Sequence, residues 1–214
     1  MKFIKIPLLI TMAAIGFGTA QAKEEIYIPV VSKGYQHEFW QTVKLGSDTA
    51  AKELGVKTSF VGPAAETQIS EQIQLMEDMM ARKPDAILLA ALDTNALVSP
   101  VEEAKSRNIE IATFDSGINS EIPKSFIATN NVKAGADAAM ALGKMLGGKG
   151  QVGIVAHVAG TQNAIQRSEG FINAMKQYYP SIDVLEVQYS DGDPQKAMDK
   201  TIDMHRANPN LSAV

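Results

Sequence analysis

The run Ala86-Ile87-Leu88-Leu89-Ala90-Ala91-Leu92, set between Pro84 and Asp93, constrains the fold more than any other stretch. It has strand length and is apolar throughout instead of alternating, the pattern of a strand covered on both faces. Such a strand needs helices above and below it, and the flanking sequence supplies them. Thr67 to Lys83 reads as a helix, with Ile69, Ile73, Met76 and Met80 on one face and Pro84 as its stop. Val98 to Arg107 reads as a short helix and Ile109 to Phe114 as the next strand. Upstream, Ile26 to Val31 is a buried strand, and Gln41 to Leu54 a helix with Val43, Ala50, Ala51 and Leu54 on its face. Val56 to Val61 is a short β-rich run ended by Gly62-Pro63. Strand and helix alternate, so the chain is α/β, with a parallel sheet and right-handed crossovers.

The pattern changes at Asp115-Ser116-Gly117. A polar connector, Ile118 to Lys124, and an extended piece, Phe126 to Thr129, lead into a second array. There Lys133–Leu146, Asn163–Tyr179 and Pro194–Arg206 read as helices, and Gln151–Val158 and Ile182–Val187 as strands. A domain boundary is expected near Ala128, with a first lobe over 23–128 and a second over 129–214. After the turn Asn208-Pro209-Asn210, Leu211 to Val214 reads as a strand that has barely begun. A parallel strand needs neighbours and a covering helix, so a truncated chain is expected.

Residues 1–22 read as a cleaved export signal. Lys2 and Lys5 form the charged start, Ile6 to Phe17 the apolar stretch, and Ala20-Gln21-Ala22 the small-residue cleavage motif. With no cysteine in the chain, disulfides, thiolate metal sites, cysteine nucleophiles and a lipobox anchor are excluded. The expectation is an exported periplasmic protein. The net charge of −4 becomes more negative when the two lysines of the signal leave, which gives no footprint for nucleic acid or an anionic membrane.

Enzyme motifs fail on inspection. Gly143 to Lys149 has phosphate-loop spacing, but Gly150 stands where a Mg²⁺-binding hydroxyl belongs, and the run ends a helix instead of following a strand. A glycine helix stop explains it. No G-x-G-x-x-G follows the first strand and no G-x-S-x-G elbow exists. His37, His157 and His205 are scattered and show no metal-ligand spacing. Asp191-Gly192-Asp193-Pro194 reads as a turn with Asp193 capping a helix. No catalytic residue, metal or cofactor is expected.

Polar and aromatic groups do gather at strand ends. In an open α/β sheet, ligands bind at the carboxyl ends of the strands. Ser32 to Trp40 joins the first strand to the first helix and carries Lys33, His37, Phe39 and Trp40, the only tryptophan. Flat apolar faces beside hydrogen-bonding groups suit a sugar-like ligand, although the two aromatics equally suit stapling a helix to the core. Asp115 and Asp93 end strands on the same edge, and a carboxylate accepts from two adjacent hydroxyls. For Asp93 a capping or turn role is favoured. Arg167 lies on the first turns of a second-array helix, from which its guanidinium reaches back towards the first array. The competing reading is a surface arginine beside Glu169.

Along almost its whole length after residue 22, the chain resembles the ribose-type (type I) periplasmic sugar-binding proteins of ABC transporters. The resemblance rests on Val30-Val31-Ser32 with Phe39-Trp40, Lys83 to Ile87, Phe114-Asp115, Ala128 to Asn131, Ala159-Gly160-Thr161, Arg167 to Phe171, and Asn208 to Leu211. It implies two lobes, each a parallel sheet flanked by helices, closing around a monosaccharide or polyol that is delivered to a membrane ABC permease. A chemoreceptor is a further partner it implies, and LacI-type ligand domains share the fold. The alternative reading is a sensor component that binds a sugar-like signal and docks on a receptor kinase. By position, Phe39 and Trp40 resemble the aromatics that cover the sugar ring, Asp115 the hydroxyl-accepting carboxylate, and Arg167 the second-lobe arginine. His37 stands where the ribose binder has a ligand-contacting asparagine, and Ser116 where it has an arginine. The loop Lys33–Gln36 is longer, so the pattern departs from ribose itself. The resemblance also implies further chain past Val214, completing the second lobe and the hinge, without which weak binding or none is expected.

Overall fold

The structure is a computed structural model and describes residues 25–214, so the expected export signal lies outside the described residues. The first lobe is a five-stranded sheet of order β2-β1-β3-β4-β5: β1 (Val30–Val31), β2 (Phe60–Val61), β3 (Ala86–Leu89), β4 (Glu110–Phe114) and β5 (Phe126–Ile127). All of its pairs are parallel. The crossover helices are α1 (Glu38–Leu54), α2 (Ile69–Ala81) and α3 (Val98–Ser106). Strand order reverses between β1 and β3, which opens a crevice outside their carboxyl ends.

The expected apolar run leaves the ladder early. β3 ends at Leu89, yet Ala90, Ala91 and Leu92 stay fully buried. One buried side chain in α2 explains how. Gln72 Nε2 donates to the carbonyls of Ser32 (2.9 Å) and Ala90 (2.8 Å), and Gln72 Oε1 accepts from the Leu92 amide (2.9 Å). Three backbone groups beyond the strand ends are satisfied by one amide, which fixes the spacing of the two loops. Below it, Met76, Met79, Met80, Ile87, Leu89, Leu97, Val101 and Ile111 form the main core.

The second lobe holds α4 (Asn131–Met145), β6 (Lys149–Val152), β7 (Val155–Ala156), α5 (Gln162–Tyr178), β8 (Ser181–Val184), β9 (Gln188–Tyr189), α6 (Pro194–Ala207) and β10 (Leu211–Ala213). The expected strand Gln151–Val158 is broken in two, and the expected strand Ile182–Val187 stops at Val184, with β9 beginning just past its end. β6 pairs with β8 and β10, whereas β7 pairs with β9 in a separate ladder. The Leu185 amide bonds Val152 O, but Gln188 is the next to bond, at Ile154 O. One strand advances three residues while the other advances two, so an extra residue bulges out and splits the ladder. α4 ends as a glycine stop, with Gly147 (φ 65) and Gly148 (φ 76) in the left-handed region before β6. Asp193 caps α6, its Oδ1 accepting from the Lys196 amide at 2.8 Å.

α4 and α5 touch backbone to backbone. A Cβ on Gly135 would collide with the Arg167 carbonyl, and one on Gly170 with the Val132 carbonyl, so glycine is required at both places.

Candidate functional site

The lobes meet through the first turn of α5. The Gln162 amide donates to Ser116 Oγ (3.2 Å), the Gly117 amide to Gln162 Oε1 (3.0 Å), and Asn163 Nδ2 to Asp115 Oδ2 (3.1 Å). Beside this contact lies a cleft of about 270 Å³ lined by Lys33, His37, Phe39, Trp40, Glu66, Asp115, His157, Asn163 and Arg167.

Lys33 follows β1 and is 2% exposed. An ammonium so buried needs a counter-charge. It finds Asp115 Oδ2 at 2.9 Å, Asn163 Oδ1 at 3.4 Å and Glu66 Oε2 at 4.0 Å, and lies 5.8 Å from the centre of the Trp40 ring. Asp115 ends β4 in the left-handed region (φ 56), a conformation aspartate tolerates better than most residues, and its amide bonds Ile127 O at 2.9 Å. That bond ties the carboxylate's residue to β5, the last strand before the second lobe.

The two adjacent aromatics have different surroundings. Trp40 is 1% exposed and packs with Val30, Phe60 and Ala90, its Nε1 donating to Glu66 Oε1 at 2.7 Å. Phe39 stands edge-on to it at 4.9 Å and is 49% exposed, presenting a flat face at the cleft mouth. His37 borders the cleft as the N-cap of α1, its Nδ1 accepting from the Phe39 amide at 3.1 Å. Arg167 reaches the cleft from α5, with its Nε on Asn131 Oδ1 at 2.8 Å.

Two expected ligand residues are turned elsewhere. Asp93 Oδ1 accepts from the amides of Asn95 and Ala96, both at 2.8 Å, the capping role favoured from sequence. Its other oxygen lies against Gly160, where a Cβ would collide with it. Ser116 is fully buried, and its hydroxyl belongs to the lobe contact with Gln162. Neither lines the cleft.

Glu66, His157 and Asn163 line the cleft but were not singled out from sequence. Glu66 lies on the loop after β2, at the same sheet edge as Lys33, so the strand-end rule would have reached it. Asn163 is 3% exposed and takes part in three hydrogen bonds, two of them across the lobe contact, to Lys33 and Asp115, and one to His157. Nothing in the local sequence separates it from an ordinary helix-start asparagine. For His157, burial first and the Lys33 charge second push the ring pKa below its usual 6.5, with the nearby Arg167 adding to the effect. Lys33, Arg167, Glu66 and Asp115 thus line the cleft together with amide, imidazole and aromatic groups. Such a lining offers hydrogen-bond donors and acceptors beside an aromatic ring.

The periplasmic binding protein domain family matches residues 28–214. The D-allose-binding periplasmic protein of Escherichia coli (strain K12) is 31% identical, over 86% of this chain and 62% of its own length. The ribose import binding protein of Bacillus subtilis (strain 168) is 27% identical, over 90% of this chain and 61% of its own. Among solved structures, an ABC transporter solute-binding protein from Agrobacterium vitis with bound D-fucose aligns with a TM-score of 0.83 at 33% identity, covering 86% of this chain and 65% of its own. A carbohydrate transporter solute-binding protein from Agrobacterium radiobacter in complex with D-arabinose gives 0.83 at 34%, covering 89% and 66%. The chain therefore spans about 62% of the D-allose-binding relative. Its α/β lobes are those of the type I periplasmic-binding-protein fold. On sequence, fold and the match over residues 28–214, the chain belongs to the periplasmic binding protein domain family.

Proposed function

We propose that this protein is a periplasmic carrier that holds a monosaccharide or polyol between its two lobes and delivers it to the permease of an ABC transporter. The observation that carries the reading is the cleft itself, where the Lys33–Asp115 pair, Arg167 and the open face of Phe39 converge from both lobes. Asp115 accepts from ligand hydroxyls, Lys33 and Arg167 donate to ligand oxygens, and Phe39 covers the apolar face of the ring. Binding across both lobes favours the closed arrangement, because the contacts from α5 and from the first lobe coexist only there. No covalent step is involved. The relatives named above serve import or sugar binding, which supports a transport role over the sensor alternative.

The test is a thermal-shift and calorimetry panel of D-allose, D-ribose, D-arabinose, D-fucose and polyols, taken to millimolar concentration. At a hundredfold excess over Kd, a bound sugar stabilises the fold by about 2.7 kcal/mol, a shift of several degrees. At least one member is expected to give a saturable shift that Asp115→Ala and Arg167→Ala each abolish. A panel with no response on the full-length gene product refutes the carrier. A variant that keeps the full shift removes that residue from the site.

A further inference from the structure

His157 follows β7 at the floor of the cleft, and the atoms around it define its chemistry. Its Nε2 lies 3.0 Å from Asn163 Oδ1 and 3.2 Å from Thr161 Oγ1. The Asn163 amide has only one sensible orientation. Its Nδ2 donates to Asp115 and its Oδ1 receives Lys33, and a flip would set like charges together at both contacts. Thr161 gives its single hydroxyl proton to the Val158 carbonyl at 2.9 Å, so towards the ring its oxygen accepts. Both partners of Nε2 are therefore acceptors, and Nε2 carries a proton. In the neutral ring Nδ1 is then a bare lone pair. Among the described residues Nδ1 has no hydrogen-bond partner, while no buried side-chain nitrogen or oxygen lacks one. Nδ1 is thus open, in a residue that lines the cleft.

We propose that His157 is a further ligand-contacting residue, accepting a hydrogen bond from a ligand hydroxyl at Nδ1 as the Nε2–H tautomer that Asn163 and Thr161 impose. The inference rests on the carrier reading and adds an acceptor from the second lobe, opposite the Asp115 carboxylate of the first. It also makes binding sensitive to pH. The charged groups facing the ring are Lys33 and Glu66 from the first lobe, Asp115 through Asn163, and Arg167 from α5. Asp191, whose amide bonds the His157 carbonyl, is paired with Lys196. Protonation would turn Nδ1 from acceptor to donor and set a third cation beside Lys33 and Arg167. Burial and the Lys33 charge oppose that step, so the neutral acceptor persists somewhat below pH 6.5. Because the ligand selects the neutral ring, affinity is level above the ring's pKa. It falls as pH drops through that pKa, approaching tenfold per pH unit beneath it.

The experiment joins calorimetry between about pH 5 and pH 8 with ¹⁵N-histidine NMR, using D-allose, D-ribose, D-arabinose and D-fucose as probes on the protein and on His157→Gln. The free protein is expected to show the Nε2–H tautomer, with a His157 Nδ1 resonance that moves when a sugar binds. Affinity is expected to be level at the neutral end and to fall at the acid end, with that acid limb missing in His157→Gln. An Nδ1–H tautomer overturns the proposal. So does an Nδ1 resonance that a saturating sugar leaves in place, or a His157→Gln variant with the wild-type pH profile. In each of those outcomes the carrier reading survives. If every sugar fails to bind, the carrier reading falls and the ligand contact falls with it.

Discussion

Removing Asp115 tests the cleft's electrostatics without any ligand. Lys33 is 2% exposed, and in Asp115→Ala the partners left to its ammonium are Asn163 Oδ1, now at 3.4 Å, and Glu66 Oε2, now at 4.0 Å. Breaking a buried pair from one side costs about 3–5 kcal/mol, because the remaining charge is uncompensated. Glu66 compensates part of it, which places the expected loss near the lower end, at about 3 kcal/mol. Lys33→Met is the informative contrast. The Asp115 side chain is 18% exposed and keeps its bond from Asn163, so water and the amide serve it, and the expected loss is about 1–2 kcal/mol. The double variant should cost less than the two single losses together, by about 1–2 kcal/mol of coupling. Urea denaturation followed by the fluorescence of Trp40, the only tryptophan and a core residue of this lobe, measures all three. A loss below about 1 kcal/mol in Asp115→Ala refutes the reasoning, as does a Lys33→Met variant less stable than Asp115→Ala.

Two further predictions concern what holds the cleft in place. Gln72→Leu fills a similar volume but leaves the Ser32 and Ala90 carbonyls and the Leu92 amide unpaired in a fully buried site, so a loss of about 3 kcal/mol or more is expected. Hydrogen exchange at the Leu92 amide should accelerate beyond the global change. Gly135→Ala should destabilise the second lobe by about 1–3 kcal/mol by prising α4 from α5. It should also weaken any sugar-induced thermal shift, because Arg167 rides on the displaced helix.

How much of this was legible in the sequence depended on the range of the forces involved. Apolar periodicity and helix stops are local, so the βα order, the glycine stop after α4 and the Asp193 cap followed directly from residues a few positions apart. The break between β6 and β7, and between β8 and β9, did not, because the extra residue between Leu185 and Gln188 exists only relative to its partner at Val152–Ile154. The strand-end rule placed Lys33, Asp115 and the aromatics on one edge correctly. The same rule put Asp93 beside them and the family resemblance added Ser116, but backbone amides of Asn95, Ala96 and Gln162 claim their oxygens instead. His157 was passed over as one of three scattered histidines. What distinguishes it is a tautomer fixed by Asn163 and Thr161, and Asn163 in turn takes its orientation from Lys33, 130 residues away along the chain.

The bond from the Asp115 amide to Ile127 O has a mechanical consequence. It joins the residue after β4 to the end of β5, so the carboxylate's place is fixed by the sheet and not by the connector that follows. Lys33, 2.9 Å from that carboxylate, and Asn163, which donates to it from α5, are both referenced to the same rigid edge. A displacement of β5 would therefore reach polar groups of both lobes at once.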